Sequence, residues 1–253
     1  MDADFDGDGD LDILSSALQD GLVAWYENLG NGNFAHQTFI DRVAGYYLTA
    51  TPSDLDGDGD IDIVSTRGLN TELIWYENTG GGNFSASQLL VQGGGWTVLR
   101  EVADLDNNGF DDIIYIDSTE VYKIMNQGNA VFTAPQMIIQ TLFGLQEIHA
   151  VDLTQDGHAD LLTVDIDNNR VMWYEWYSNG TYSNAQFVTA MLNSPSNAAA
   201  NDIDGDGDSD IAVQNEDSDP EIVAKFARIP DSQRSYYVSQ WAKENGIDTD
   251  KAM

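Results

Sequence analysis

Apolar and polar residues along this chain are ordered in short blocks whose lengths suit strands rather than helices. Residues 60–66 read DIDIVST and 111–117 read DDIIYID. Branched and aromatic side chains that alternate or run on for four to eight positions predict strands buried on one or both faces. A second kind of block carries such residues into a Gly/Asn turn and out to another aromatic. It reads LVAWYENLGNGNF at 22–34 and LIWYENTGGGNF at 73–84, with eroded copies VYKIMNQGNAVF at 121–132 and VMWYEWYSNGTY at 171–182. That pattern predicts a hairpin. The stretches 46–53 and 146–151 add one more strand before the polar block in their repeats.

One repeat is therefore strand, polar loop, strand, turn, strand, Gly-rich turn, strand. Four strands in roughly 40–50 residues, repeated, is the signature of a β-propeller blade. Complete units are expected at 46–91, 96–140 and 145–192. The first unit begins inside its loop and lacks the preceding strand, and the fifth runs through 211–214 and 221–229 before the pattern stops. The expected architecture is all-β, about five propeller repeats over 1–229. Either the tail closes the ring, or the chain is a piece of something longer. Residues 230–253 are expected to form a short helical tail. Asp231 or Ser232 would cap it, Tyr236, Tyr237, Val238 and Trp241 would pack it over the last blade, and Asn245-Gly246 would stop it.

The polar loops are five nonapeptides: DFDGDGDLD from Asp4, DLDGDGDID from Asp54, DLDNNGFDD from Asp104, DLTQDGHAD from Asp152 and DIDGDGDSD from Asp202. Their first residues are 50, 50, 48 and 50 positions apart, so they stand in phase with the strands. They hold about half of the 43 acidic residues, which face only 10 basic ones for a net charge of −33. That charge excludes binding to nucleic acid by phosphate neutralisation and argues against docking on anionic lipid. A disordered acidic tail is excluded too, because 42% of residues are apolar and 10% aromatic. The absence of Cys removes disulfides, thiolate zinc sites and Cys nucleophiles. No apolar run approaches the roughly 20 residues that span a bilayer, so no membrane insertion is expected. No basic-then-apolar leader is read either, since Asp2 follows Met1.

The spacing within a loop points to a cation. Asp4, Asp6, Asp8 and Asp12 stand at positions 1, 3, 5 and 9, with Gly9 at position 6. Side chains at 1, 3 and 5 converge only if the backbone wraps around a point, and Gly permits the sharp turn. Carboxylates gathered so closely either take up protons or bind a cation. Ca²⁺, which accepts six to eight oxygens at flexible geometry, suits them better than Mg²⁺. An EF-hand also opens D-x-D-x-D-G, but it needs an acid at position 12 and flanking helices. Position 12 here is Ser15, Ser65, Tyr115, Thr163 and Val213, and the flanks are strand-like. RTX-type arrays repeat far more densely. Both are rejected. The loops are unequal: the third has Asn108 at position 5 and the fourth Thr154 at position 3, so these two are expected to bind most weakly.

The two signatures, D-x-D-G-D-G-x-x-D-I/L and W-Y-E-N-x-G-x-G-N-F, together resemble the FG-GAP-like repeat, also called the VCBS repeat, related to the integrin α-subunit propeller. The resemblance covers about residues 1–229, although literal FG and GAP tripeptides are missing. It implies a propeller with up to five Ca²⁺, each in the loop joining the first two strands of a blade. Side chains at positions 1, 3, 5 and 9 would ligate: Asp4, Asp6, Asp8 and Asp12; Asp54, Asp56, Asp58 and Asp62; Asp104, Asp106, Asn108 and Asp112; Asp152, Thr154, Asp156 and Asp160; Asp202, Asp204, Asp206 and Asp210. Position 7 would ligate through its carbonyl, namely Asp10, Asp60, Phe110, His158 and Asp208, which accounts for Phe and His there. Secretion to the outside of the cell, where millimolar Ca²⁺ saturates even weak sites, is inferred from the resemblance.

Other chemistry is sparse. His149 precedes loop four on a strand resembling the innermost one of a blade. It reads either as a general base of a polysaccharide lyase, with Tyr47 or Arg100 as partners, or as a polar residue lining the channel. His36 and His158 have surface and loop positions only. Trp25, Trp75 and Trp173 share one repeat position, as packing between neighbouring blades requires, while the off-pattern Trp96 and Trp176 are the expected exposed ligand contacts. Glu27, Glu77 and Glu175 also share a position, one blade apart, which gives no paired-carboxylate geometry. The expected function is a non-catalytic, extracellular binding or adhesion module for a glycan or another protein, acting as a monomer or within a larger chain. The rival is a polysaccharide lyase or other carbohydrate-active enzyme on the same scaffold.

Overall fold

The computed structural model describes residues 1–17, 21–42, 49–67, 71–140, 145–189, 194–203, 205, 207–215 and 221–226. The expected tail helix, Tyr47, Asp204 and Asp206 lie outside the described residues. All regular structure described is β, and no helix among these residues is long and apolar enough to cross a membrane.

Four sheets are antiparallel meanders of four strands, each the expected blade. The first is β1 (Asp2–Ala3), β2 (Asp12–Ala17), β3 (Leu22–Tyr26) and β4 (Thr38–Arg42). The second is β5 (Ala50–Ser53), β6 (Asp62–Arg67), β7 (Glu72–Tyr76) and β8 (Gln88–Gln92). The third is β9 (Thr97–Ala103), β10 (Asp112–Asp117), β11 (Glu120–Ile124) and β12 (Gln136–Gln140). The fourth is β13 (Leu145–Val151), β14 (Asp160–Asp165), β15 (Arg170–Tyr174) and β16 (Gln186–Thr189). A fifth sheet has three strands, β17 (Pro195–Asn201), β18 (Ser209–Asn215) and β19 (Glu221–Phe226). The all-β propeller class read from the sequence is the fold found.

One expectation is corrected. The first repeat does not lack the strand before its loop: Asp2 pairs with Ile13 and Ala3 with Asp12, and the Leu14 N–H donates to the Met1 carbonyl at 2.8 Å. Two residues are too few for periodicity to reveal a strand.

Two compact units divide the chain, Met1–Asp104 with Asn108–Gln140, and Leu105–Asn107 with Thr141–Met253. Within the first unit, Phe5, Leu14 and Trp25 of the first repeat pack with Ile63, Ile74 and Tyr76 of the second. Val64, Leu73 and Trp75 of the second sheet in turn pack with Ile113, Tyr115 and Ile124 of the third. In the second unit Leu162, Val164 and Trp173 pack with Ala198, Ile211 and Val213. The core is thus built between adjacent sheets, as nearest-neighbour repeat packing demands. A bulge interrupts the pairing of third and fourth strands at the same place in every complete sheet: Val23/Ala24, Leu73/Ile74, Val121/Tyr122 and Val171/Met172. A bulge re-aims the side chains beyond it, which bears on the outer strands below.

Candidate metal centre

Each acidic nonapeptide joins the first two strands of its sheet, and its turn is built by its own aspartates. In the first loop Asp4 accepts the N–H groups of Gly7 (2.8 Å) and Gly9 (2.9 Å), one on each oxygen. Asp6 accepts from Asp8 and Asp8 from Asp10. The second loop repeats all four bonds through Asp54, Asp56 and Asp58. Position 1 holds the turn in the other loops as well: Asp104, Asp152 and Asp202 each accept two backbone N–H groups within their own loop. These bonds turn the chain tightly enough that positions 4 and 6 take positive φ in every loop, for example +77° at Gly7 and +95° at Gly9. The third and fourth loops keep this turn with Asn107 (φ +60°) and Gln155 (φ +57°) at position 4.

The turn gathers oxygen ligands. One carboxylate oxygen from each of Asp4, Asp6 and Asp8 lies within 4.8 Å of the others, and the same holds for Asp54, Asp56 and Asp58, and for Asp104, Asp106 and Asp112. Burial, reinforced by the neighbouring carboxylates, pushes the Asp6 and Asp56 carboxyls above the ordinary range, against the backbone N–H each accepts. At position 3, Asp106 Oδ1 and Thr154 Oγ1 are buried and have no hydrogen-bond partner among the described residues. An all-oxygen donor set with unpaired buried oxygens at its third position fits a hard cation.

Position 9 has a different surrounding. Asp12 and Asp62 are fully buried. Asp12 accepts from Phe5 N (2.9 Å) and Asn28 N (2.8 Å), and Asp62 from Leu55 N (3.1 Å) and Asn78 N (2.7 Å). Asp160 accepts from Leu153, Thr154 and Trp176. Position 9 therefore buckles its loop to the hairpin that follows. Burial raises the Asp62 carboxyl to about 7 and that of Asp160 to about 6, despite those N–H donors.

The asparagine of the WYEN signature completes the buckle, a role sequence reasoning missed. Asn78 Nδ2 donates to Ile61 O in its own repeat and to Phe5 O of the preceding one at 2.8 Å. Asn126 does the same to Asp111 O and Leu55 O. Within the first unit, the first and second loops are thereby tied to the next sheet.

The other candidates fall out as follows. Trp25, Trp75 and Trp173 are core residues, 2–5% exposed. Trp96 is 58% exposed, but Trp176 is buried at 4%. That corrects its expected exposure: Trp176 replaces the buckle asparagine, donates its backbone N–H to Asp160 and meets Tyr182 edge-on at 5.0 Å. His149 is half-exposed on β13, with Nε2 3.5 Å from Glu147. His36 is exposed.

An array of propeller-type blades, each with an acidic, oxygen-rich loop between its first two strands, is the class these features define. The family model for the FG-GAP-like repeat matches four times in tandem, over residues 4–65, 54–115, 104–163 and 152–213. The chain belongs to the FG-GAP-like repeat family. No curated protein matches its sequence. Among solved structures it is similar to an Agrocybe aegerita lectin that specifically recognises non-reducing terminal N-acetylglucosamine. The TM-score is 0.58 at 25% identity, over 75% of this chain and 51% of the lectin. It is also similar to NanB sialidase from Streptococcus pneumoniae, with TM-score 0.53 at 10% identity, over 81% of this chain and 35% of the sialidase. The chain thus spans about half the length of the lectin, and the sialidase likeness concerns the fold alone.

Proposed function

We propose that the acidic loops bind Ca²⁺, up to five ions, and that the chain is a non-catalytic extracellular module that binds a glycan or another protein. The observation that carries the calcium reading is the convergence of carboxylates from positions 1, 3 and 5 within 4.8 Å in the first two loops. Bound Ca²⁺ would supply charge neutralisation and a cross-link within each loop. The protein's own residues do the rest. Position 1 shapes the turn, position 9 fixes it to the hairpin, and the buckle asparagines pass that order to the neighbouring sheet. Metal-binding energy then becomes folding energy, and a stiff scaffold loses little entropy when it binds a ligand.

The glycan reading is supported by the likeness to a lectin for terminal N-acetylglucosamine. Extracellular placement is supported by the calcium demand, since weak loop sites fill at millimolar Ca²⁺. A glycan array probed with calcium-loaded protein tests the reading, alongside melting with and without EDTA. Selective retention of glycans and a lower midpoint in EDTA are expected. An array without signal would remove the glycan ligand, and an unchanged midpoint would remove structural calcium.

A further inference from the structure

The first unit contains a cleft of about 370 Å³ between the outer half of the second sheet and the Gly/Asn turn of the third. Small-ligand sites span roughly 300–1,000 Å³. One wall is apolar, with Leu89 on β8, 56% exposed, facing the half-buried Phe132. The other is polar. Gln88 Nε2 donates to Glu77 Oε2 at 3.2 Å, and Asn129 and Asp56 stand on the same lining. Among the described residues no Lys, Arg or His lines the cleft.

Leu89 is one of a set. In the four complete sheets the second residue of the outermost strand, just before the bulge, is large, apolar and exposed: Phe39 (60%), Leu89 (56%), Met137 (50%) and Phe187 (58%). Keeping such a side chain in water forgoes about 1.5–3 kcal/mol relative to burial. One exposed Leu is ordinary, but the same position in four repeats is a surface prepared for contact.

We propose that this cleft binds one uncharged pyranose ring, a step that rests on the glycan reading above. A pyranose has an apolar C–H face and a rim of hydroxyls. Leu89 and Phe132 cover the face. The Glu77–Gln88 pair, Asn129 and Asp56 supply both acceptors and donors to the rim. The Glu77 carboxylate repels a sugar acid and no basic side chain among the described lining residues stands ready to pair one, so the ring is neutral or N-acetylated. Asp56 belongs both to this wall and to the second acidic loop. A ring and a cation that order the same side chain each bind better with the other present, and the gain is reciprocal.

The test is backbone amide NMR on the whole calcium-loaded chain, titrated with N-acetylglucosamine, galactose, mannose or glucuronic acid. The proposal expects N-acetylglucosamine or another neutral hexose to shift Gln88, Leu89 and Asn129, and glucuronic acid to leave them unmoved. L89D and the milder L89S, at a half-exposed site that tolerates change, should weaken the response at least tenfold while the melting midpoint stays. Calcium uptake should tighten in saturating sugar for the native chain and not for L89D. Shifts confined to another part of the protein would overturn the cleft and leave glycan binding standing. No response to any of these hexoses anywhere would remove the glycan reading itself. Equal response to glucuronic acid would overturn the preference for an uncharged ring, and calcium uptake indifferent to sugar would remove Asp56 from the shared wall.

Discussion

The second and fourth acidic loops share a backbone and differ in charge. Both turn at position 1 through two N–H bonds to Asp54 or Asp152, both take positive φ at positions 4 and 6, and both are buckled by a buried aspartate at position 9. Yet the second loop brings three carboxylates together within 4.8 Å, whereas the fourth has Thr154 at position 3. The turn therefore does not depend on the full ligand set. It survives at position 4 even with Gln155, whose left-handed conformation costs of order 1–3 kcal/mol in a residue with a side chain. Two demands are superimposed on one nonapeptide. In the second loop positions 1 and 9 hold the turn and tie it to the hairpin, whereas position 3, on the calcium proposal, answers chiefly to the cation.

That separation is open to attack by mutation. The largest effect is expected at position 9. Asp62→Ala leaves the buried N–H groups of Leu55 and Asn78 without acceptors, at about 1–3 kcal/mol each. Urea denaturation should show the loss both with calcium and in EDTA. Asp56→Asn should instead leave the chelated protein almost as stable as its parent and weaken calcium uptake alone. If both substitutions act only through calcium, the separation fails. Next is Asn78→Ala, which removes the ties to Phe5 O and Ile61 O and should cost about 1–3 kcal/mol regardless of metal.

A smaller effect is expected from acid. In metal-free protein Asp62 titrates near 7 and Asp160 near 6, against an ordinary value of 3.8. The fold then holds protons that the unfolded chain releases, so metal-free stability should fall as pH rises from about 4 to about 7. Calcium-loaded protein should show the reverse slope, because its ligands must be ionised. Melting curves across that range, with and without chelator, check both signs. Thr154→Asp, the gentlest change, should raise the calcium affinity of the fourth loop and leave the second as it is.

Much of this was legible in the chain itself. The phase of the acidic loops with the WYEN hairpins announced the blades, and the shared position of Trp25, Trp75 and Trp173 announced the packing between them. What stayed hidden was non-local. Asn78 reaches a carbonyl 73 residues away, and no local pattern marks that partner. The structural task of position 9 was hidden as well, because a carboxylate's spacing does not reveal how many N–H groups will converge on it. Trp176 looked exposed because it departs from the repeat, but departing residues can fill a buried slot when a neighbour such as Tyr182 packs against them. The exposed outer-strand residues escaped notice because a bulge shifts alternation by one, and bulges leave little trace in composition.

Calorimetric titration of Ca²⁺ into chelator-stripped protein addresses the central claim most directly, with Asp56→Asn and Thr154→Asp run in parallel. The account predicts several equivalents of uptake in two classes, the tighter one diminished by Asp56→Asn and enlarged by Thr154→Asp. Heats indistinguishable from dilution would contradict it, leaving blades whose converging aspartates hold no metal.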